Sequence, residues 1–183
     1  MARSAASFGL PIAAAIAFYG WFNWVRFGTS LESGLSISVL TSRSLQERRA
    51  QGLFSVVQIP ENVRLALLAL PDRISNFPFL SPNVYGMSML LVSPALITSL
   101  WAGFRDKAAR LLWMATLLVA VPVFLYYGGG AIQYGFRYSL DFTPFLVALM
   151  AIGSRRWIGW PERLLVLASI GSILVGIYWR GAL

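Results

Sequence analysis

The chain has 183 residues, 57 % hydrophobic and 12 % charged, with a formal net charge of +8 and a mean hydropathy of +0.67. Soluble domains average about 45–50 % apolar and about 25 % charged residues, so this composition reads as that of a membrane protein. The absence of cysteine and histidine excludes disulfides, thiolate zinc sites and catalytic Cys or His. A metal would need hard oxygen ligands, for which only seven carboxylates exist, and neither a metal nor a cofactor is assigned. The basic residues stand singly or in pairs between apolar blocks, so the excess charge reads as membrane topology and no nucleic-acid partner is expected.

A bilayer core of about 30 Å needs about 20 apolar residues per helix, and five segments meet that need: 7–25, 85–104, 108–127, 138–157 and 164–179. The first follows Arg3 but runs into "FYGWFNW" with no polar, small-residue cleavage region, so it reads as a retained helix rather than a signal peptide. Trp21 and Trp24 then fall in an interfacial aromatic belt. Residues 26–84 form a long loop: 35–52 is polar and expected to be flexible, whereas Val63, Leu67, Leu70 and Ile74 recur at helical spacing. A helix over about 60–74 is predicted, starting at Pro60 and ending or bending at Pro71. It is too short to span, and is read as lying on the membrane surface, with a re-entrant or protein-packed helix as the alternative. Pro94 and Pro122 are expected to kink the second and third spans.

Orientation follows from the short loops. Arg105, Lys107 and Arg110 occupy one, and Arg155, Arg156 and Arg163 the other. Five alternating spans place both loops and Arg3 on one side, which the positive-inside rule makes cytoplasmic. The predicted fold is therefore an all-α polytopic membrane protein, a single membrane domain over 1–183, with 26–84 and the glycine-rich loop facing outward.

That loop reads "GGGAIQYGFRYSLDFTPF" (128–145) and places polar groups at the outer end of the fourth span. Ionisable residues at such positions usually face a bundle interior or a wet cavity. Arg137 and Asp141, about one helical turn apart, read either as an i,i+4 ion pair or, with Asp141 capping the following helix, as structural. The sharper reading is a polar pocket in which Gln133 and Tyr134 supply neutral hydrogen-bonding groups. Arg137 offers it a planar fork suited to phosphate, and Gly128, Gly129, Gly130 and Gly135 let backbone approach a ligand. A second polar group, Asn23, Arg26 and Glu32, lies at the outer end of the first span. Arg26 alone reads as a snorkelling interface residue, and Glu32 alone as solvated.

Three stretches carry a resemblance: "NWVRFGTSLESG", "NFPFLSPNVYGMSMLLVSPALI" and "GGGAIQYGFRYSLDFTPFLVAL". In that order and spacing, over about residues 8–153, the chain resembles the C-terminal part of bacterial polytopic glycosyltransferases of the C-type fold. These are related to protein mannosyltransferases and aminoarabinose transferases. The matching elements are Asn-x-x-Arg-Phe-Gly at 23–28 and Gln-Tyr-Gly-x-Arg-Tyr-x-Leu at 133–140. The resemblance implies a bacterial plasma-membrane location and a polyprenyl-phosphate sugar donor as the lipid partner. It also implies transfer to an extracytoplasmic acceptor. The family's catalytic acids lie in an external loop before the matching region. No such loop precedes Ser7, so no catalytic residue is assigned, and Asp141 and Glu32 are not promoted to base. The implied picture is of a portion inactive alone, with the N-terminal half as a possible partner chain. In it Arg137 stabilises the leaving phosphate, Gln133, Tyr134 and Tyr138 shape the pocket, and Asp141 orients Arg137. The alternative is a small non-enzymatic membrane protein, an accessory subunit or a channel or transporter component.

Overall fold

The structure, a computed structural model, describes residues 2–40, 42–75, 79–83, 85–130, 133–154 and 159–181. Arg155 and Arg156 of the second basic loop lie outside these residues. The chain divides into two compact units, residues 1–53 and 54–183.

The first unit holds α1 (Ala2–Phe27) and α2 (Arg43–Ala50). From Ser7 on, α1 is apolar around its whole circumference and almost wholly exposed; Trp21 and Trp24 are each more than half exposed. A helix apolar on every face belongs in a core or a bilayer. The polar stretch 35–52 is not simply loop, because α2 forms within it. Arg43 and Glu47 pair across one turn at 3.1 Å, and Arg48 and Arg49 sit at the C-terminal end, where cations offset the helix dipole.

The second unit runs through α3 (Ile59–Leu68), a two-residue hairpin of β1 (Asp72–Arg73) and β2 (Leu80–Ser81), and α4 (Met89–Val92). A 3₁₀ helix (Pro94–Ala102), α5 (Lys107–Leu125), a second 3₁₀ helix (Arg137–Asp141), α6 (Thr143–Gly153) and α7 (Trp160–Gly181) complete it. Among the described residues, three helices are long and apolar enough to cross a membrane: residues 7–27, 107–125 and 160–179. The molecule is thus mainly helical, with the length and composition of a membrane protein.

The two other apolar segments fold differently. Residues 85–104 break at Ser93, because the residue before a proline is driven out of the helical region (φ −135°, ψ 73°). Together α4 and the 3₁₀ helix rise only about 24 Å. Residues 138–153 begin as a 3₁₀ helix, so α6 keeps 11 residues, about 16 Å. These two pieces form the core with α5: Leu96, Ala109, Ala120, Phe142, Leu146 and Leu149 are buried together. Gly153 lets α6 touch the backbone of the first 3₁₀ helix; a Cβ there would lie 3.0 Å from the Ala102 nitrogen and 3.1 Å from the Thr98 oxygen.

Helix α3 ends sooner than its hydropathy predicts, and the other face is buried. Asn62, Leu65, Ala66 and Ala69 turn inward, while Leu67, Leu68, Leu70 and Ile74 are exposed. The reason is the C-terminus of α5, whose last carbonyls have no helical partners. The Asn62 amide donates to the Phe124 oxygen at 2.8 Å and the Tyr126 oxygen at 2.7 Å. The Ser55 backbone N–H takes the Leu125 oxygen at 2.8 Å. Helix α3 is therefore protein-packed on one face, and its exposed side carries Leu67 and Leu68 together with the Glu61–Arg64 ion pair.

Asn62→Leu should lower stability by about 1–3 kcal/mol, since it strands two buried carbonyls. A thermal unfolding midpoint in detergent equal to that of the unsubstituted chain would contradict this role.

Candidate functional site

The described end of the glycine-rich segment, residues 133–136, is not helical as it enters the second 3₁₀ helix. Residue 135 forms a parallel bridge with Met87: the Met87 N–H donates to the Tyr134 oxygen, and the Phe136 N–H donates to the Met87 oxygen, both at 3.0 Å. Ser88 ties the same strand to the end of α3, its N–H donating to the Ala69 oxygen at 2.8 Å and its hydroxyl to the Leu67 oxygen at 2.7 Å. Phe136, 2 % exposed, fills the space between α3 and α5 beside Leu65 and Phe124.

Gln133 is buried at the centre of this junction. Its amide nitrogen donates to the Tyr85 oxygen and, at 2.9 Å, to the Gly129 oxygen. Its amide oxygen accepts the Arg137 N–H at 3.3 Å. Two glycines make room for it. Gly86 (φ +95°) and Gly130 (φ +79°) both hold conformations that L residues avoid, and a Cβ on either would approach the Gln133 side chain within 3.0 Å. Of the glycines expected to admit a ligand, Gly130 admits Gln133, Gly128 faces the Tyr126 ring and Gly135 admits Val92.

Around this junction lies a cavity of about 600 Å³. Residues 133–137 form one wall, Met89, Val92 and Leu96 a second, and Gly176 and Trp179 of α7 a third. Tyr134 reaches across to α7: its hydroxyl donates to the Ser172 oxygen at 2.7 Å, and its ring stands 6.3 Å from that of Trp179. Gly176 passes directly under that ring, where a Cβ would lie 2.8 Å from Cδ1. Ser139 and Thr143, also on the lining, turn their hydroxyls onto the oxygens of Phe136 and Ser139 at 2.7 and 2.8 Å.

Arg137 is exposed and lines the cavity, with its guanidinium 5.4 Å from the Tyr138 ring centroid. No carboxylate pairs with it among the described residues. Asp141 makes no ion pair there either, and α6 begins without a side-chain cap. The helix type explains the separation. In an α-helix, residues four apart lie about 40° apart around the axis, but in a 3₁₀ helix they lie about 120° apart. Arg137 accordingly lines the first cavity, and Asp141 lines a second with Tyr138. The expectation that Asp141 orients Arg137 is corrected by this geometry.

The second predicted cluster belongs to the first unit, where its members serve local structure. Asn23 is buried and donates to the Ser30 oxygen at 3.4 Å. The Arg26 guanidinium stacks over Phe22 and Phe27 at 5.1 and 5.0 Å. Glu32 accepts the Gly34 N–H at 2.7 Å and the Ser36 hydroxyl. The bond from Ser36 holds its carboxyl below the usual glutamate range.

Two contributors escaped the sequence reading. Ser93 lines the cavity, and its hydroxyl makes no hydrogen bond among the described residues. On α7 the half-buried positions 162, 165, 169, 172, 176 and 179 alternate spacings of three and four, and the described positions between them are exposed. Small residues at 169, 172 and 176 of that seam, a pattern visible in the sequence, let the helix approach closely.

No family model matches this chain, and neither does any protein of curated function or any solved structure.

Gln133→Leu should destabilise the second unit by at least about 2 kcal/mol, because it leaves the Tyr85 and Gly129 carbonyls and the Arg137 N–H unpaired. Arg137→Ala should stay within about 0.5 kcal/mol of the unsubstituted chain. Thermal unfolding of the two variants side by side tests this, and the reverse order would contradict the division of roles.

Proposed function

We propose that this chain is the C-terminal membrane portion of a glycosyltransferase that moves a sugar from a polyprenyl-phosphate carrier to an extracytoplasmic acceptor. Its cavity of about 600 Å³ binds the carrier. One observation carries the reading: the residues of the Gln-Tyr-Gly-x-Arg-Tyr-x-Leu element that resemble the family, all but Tyr138, line a largely apolar cavity, and Arg137 is the only basic residue on it among the described residues. An apolar cavity with one guanidinium matches an amphiphilic anion, and a lipid phosphate has that chemistry. The unpartnered Ser93 hydroxyl adds a neutral donor.

Cleavage of a sugar–phosphate bond develops negative charge on the leaving phosphate. A fixed guanidinium stabilises that charge more in the transition state than in the bound donor. Among the described residues no aspartate or glutamate lines the cavity. The reading therefore gives these residues donor binding and leaving-group stabilisation, and leaves the base that activates the acceptor to another part of the enzyme.

In this proposal, 85–104 and 138–157 also cross the bilayer, making five spans with a cytoplasmic N-terminus. Broken helices are tolerated at membrane depth where protein covers them, and the first 3₁₀ helix packs against both α6 and α7. Reporter fusions at Lys107 and Glu162 should read cytoplasmic and one at Ser42 external; a cytoplasmic signal at Ser42 contradicts the topology.

The purified chain in maltoside micelles should bind a polyprenyl phosphate at least about tenfold more tightly than the matching polyprenol, about 1.4 kcal/mol. Arg137→Ala should erase that preference, and Arg137→Lys should restore only part of it, because an ammonium lacks the bidentate fork. Equal affinity for the phosphate and the alcohol would overturn the reading.

A further inference from the structure

The second cavity has the opposite chemistry. It is an open hollow of about 340 Å³ between Phe54, the C-terminal turns of α5 and the second 3₁₀ helix. Phe54, Tyr126 and Tyr138 contribute rings. Those of Phe54 and Tyr126 stand 5.7 Å apart at 47°, and those of Tyr126 and Tyr138 stand 5.7 Å apart at 70°. Among the described residues Asp141 supplies the only charge on the lining, and Val119, Pro122 and Val123 form an apolar floor.

The chain has 15 basic and 7 acidic side chains, yet among the described residues the Asp141 carboxylate is without a partner, making neither an ion pair nor a hydrogen bond. The nearest basic residue in sequence, Arg137, lines the other cavity. One carboxylate among aromatic rings is a poor site for a hard metal ion, which takes about six oxygen ligands. It is a suitable site for an organic cation. Ring faces attract a weakly hydrated ammonium within about 6 Å of their centroids, and a carboxylate adds the counter-charge.

We propose that this cavity binds an organic ammonium group, with Asp141 as counter-ion and Phe54, Tyr126 and Tyr138 as an aromatic cage. The apolar floor accepts the carbon skeleton next to the nitrogen. The ammonium belongs either to a soluble amine or to a lipid headgroup. The second 3₁₀ helix thus presents a cation to one cavity and an anion to the other. The ammonium site rests on its own lining and does not depend on what the larger cavity binds.

Choline and its uncharged isostere 3,3-dimethyl-1-butanol are suitable probes, titrated calorimetrically into the chain in maltoside micelles. Choline should bind saturably and at least about tenfold more tightly than the alcohol. Asp141→Asn should remove that preference, and Phe54→Ala, at a position 57 % exposed, should weaken choline binding several-fold. Arg137→Ala should not weaken choline binding, because the guanidinium over the Tyr138 ring can only compete with an ammonium there, which separates this site from the lipid-phosphate reading. Competition by a short-chain phosphatidylethanolamine more strongly than by ethanolamine would assign the ammonium to a lipid headgroup. Equal competition would assign it to a soluble amine, and either result supports the site. Equal binding of choline and the alcohol, or an unchanged preference in Asp141→Asn, would overturn it.

Discussion

The second unit depends on how one buried amide is satisfied. Gln133 cannot reach water, so its nitrogen and oxygen must find partners inside, and they find the Tyr85 and Gly129 carbonyls and the Arg137 N–H. Those bonds require backbone to pass close on both sides, and only glycine provides that at positions 86 and 130. The extended segment so fixed pairs with Met87 and places Phe136 in the core. It also sets where the second 3₁₀ helix begins. A hydrophobic core alone does not specify this arrangement, whereas a buried polar network with every member paired does.

The tight helix that follows decides the electrostatics. Its 120° step directs Arg137 and Asp141 to different cavities, whereas an α-helix would have set them side by side to neutralise one another. Each charge is left available to something outside its own chain. Tyr138 stands between them, under the Arg137 guanidinium and on the wall of the Asp141 cavity. Tyr134, by contrast, is committed to α7 through Ser172 and Gly176, which makes the last helix part of the larger cavity's wall.

Hydropathy read the long uninterrupted helices well. Helices α1, α5 and α7 coincide with the predicted spans 7–25, 108–127 and 164–179 to within a few residues, because twenty apolar residues without a break leave little alternative. It did not reveal where the interrupted ones break. Pro94 acts through the residue before it, and the 3₁₀ form of 137–141 comes from tertiary packing that a residue count does not reveal. The α3 face was inverted for a similar reason: Asn62 is buried to serve the α5 carbonyls, and a polar residue turned inward carries no periodic signal. At the candidate site the sequence singled out Gln133, Tyr134 and Arg137, which do meet on one cavity. It did not separate Arg137 from Asp141, and it gave Gly130 to a ligand where the structure gives it to Gln133. Asn23, Arg26 and Glu32 looked functional by composition, yet in their own unit they hold a helix end and a turn.

Photolabelling with a polyprenyl phosphate that carries a diazirine in its first isoprene units tests the lipid-phosphate cavity most directly. Peptide mapping should place the label on Met89, Val92, Leu96 or Trp179, the apolar walls nearest the motif. Excess unlabelled polyprenyl phosphate should protect those residues, and excess polyprenol should not. Label confined to the exposed faces of α1 and α7, or protection by the alcohol equal to that by the phosphate, would contradict the account.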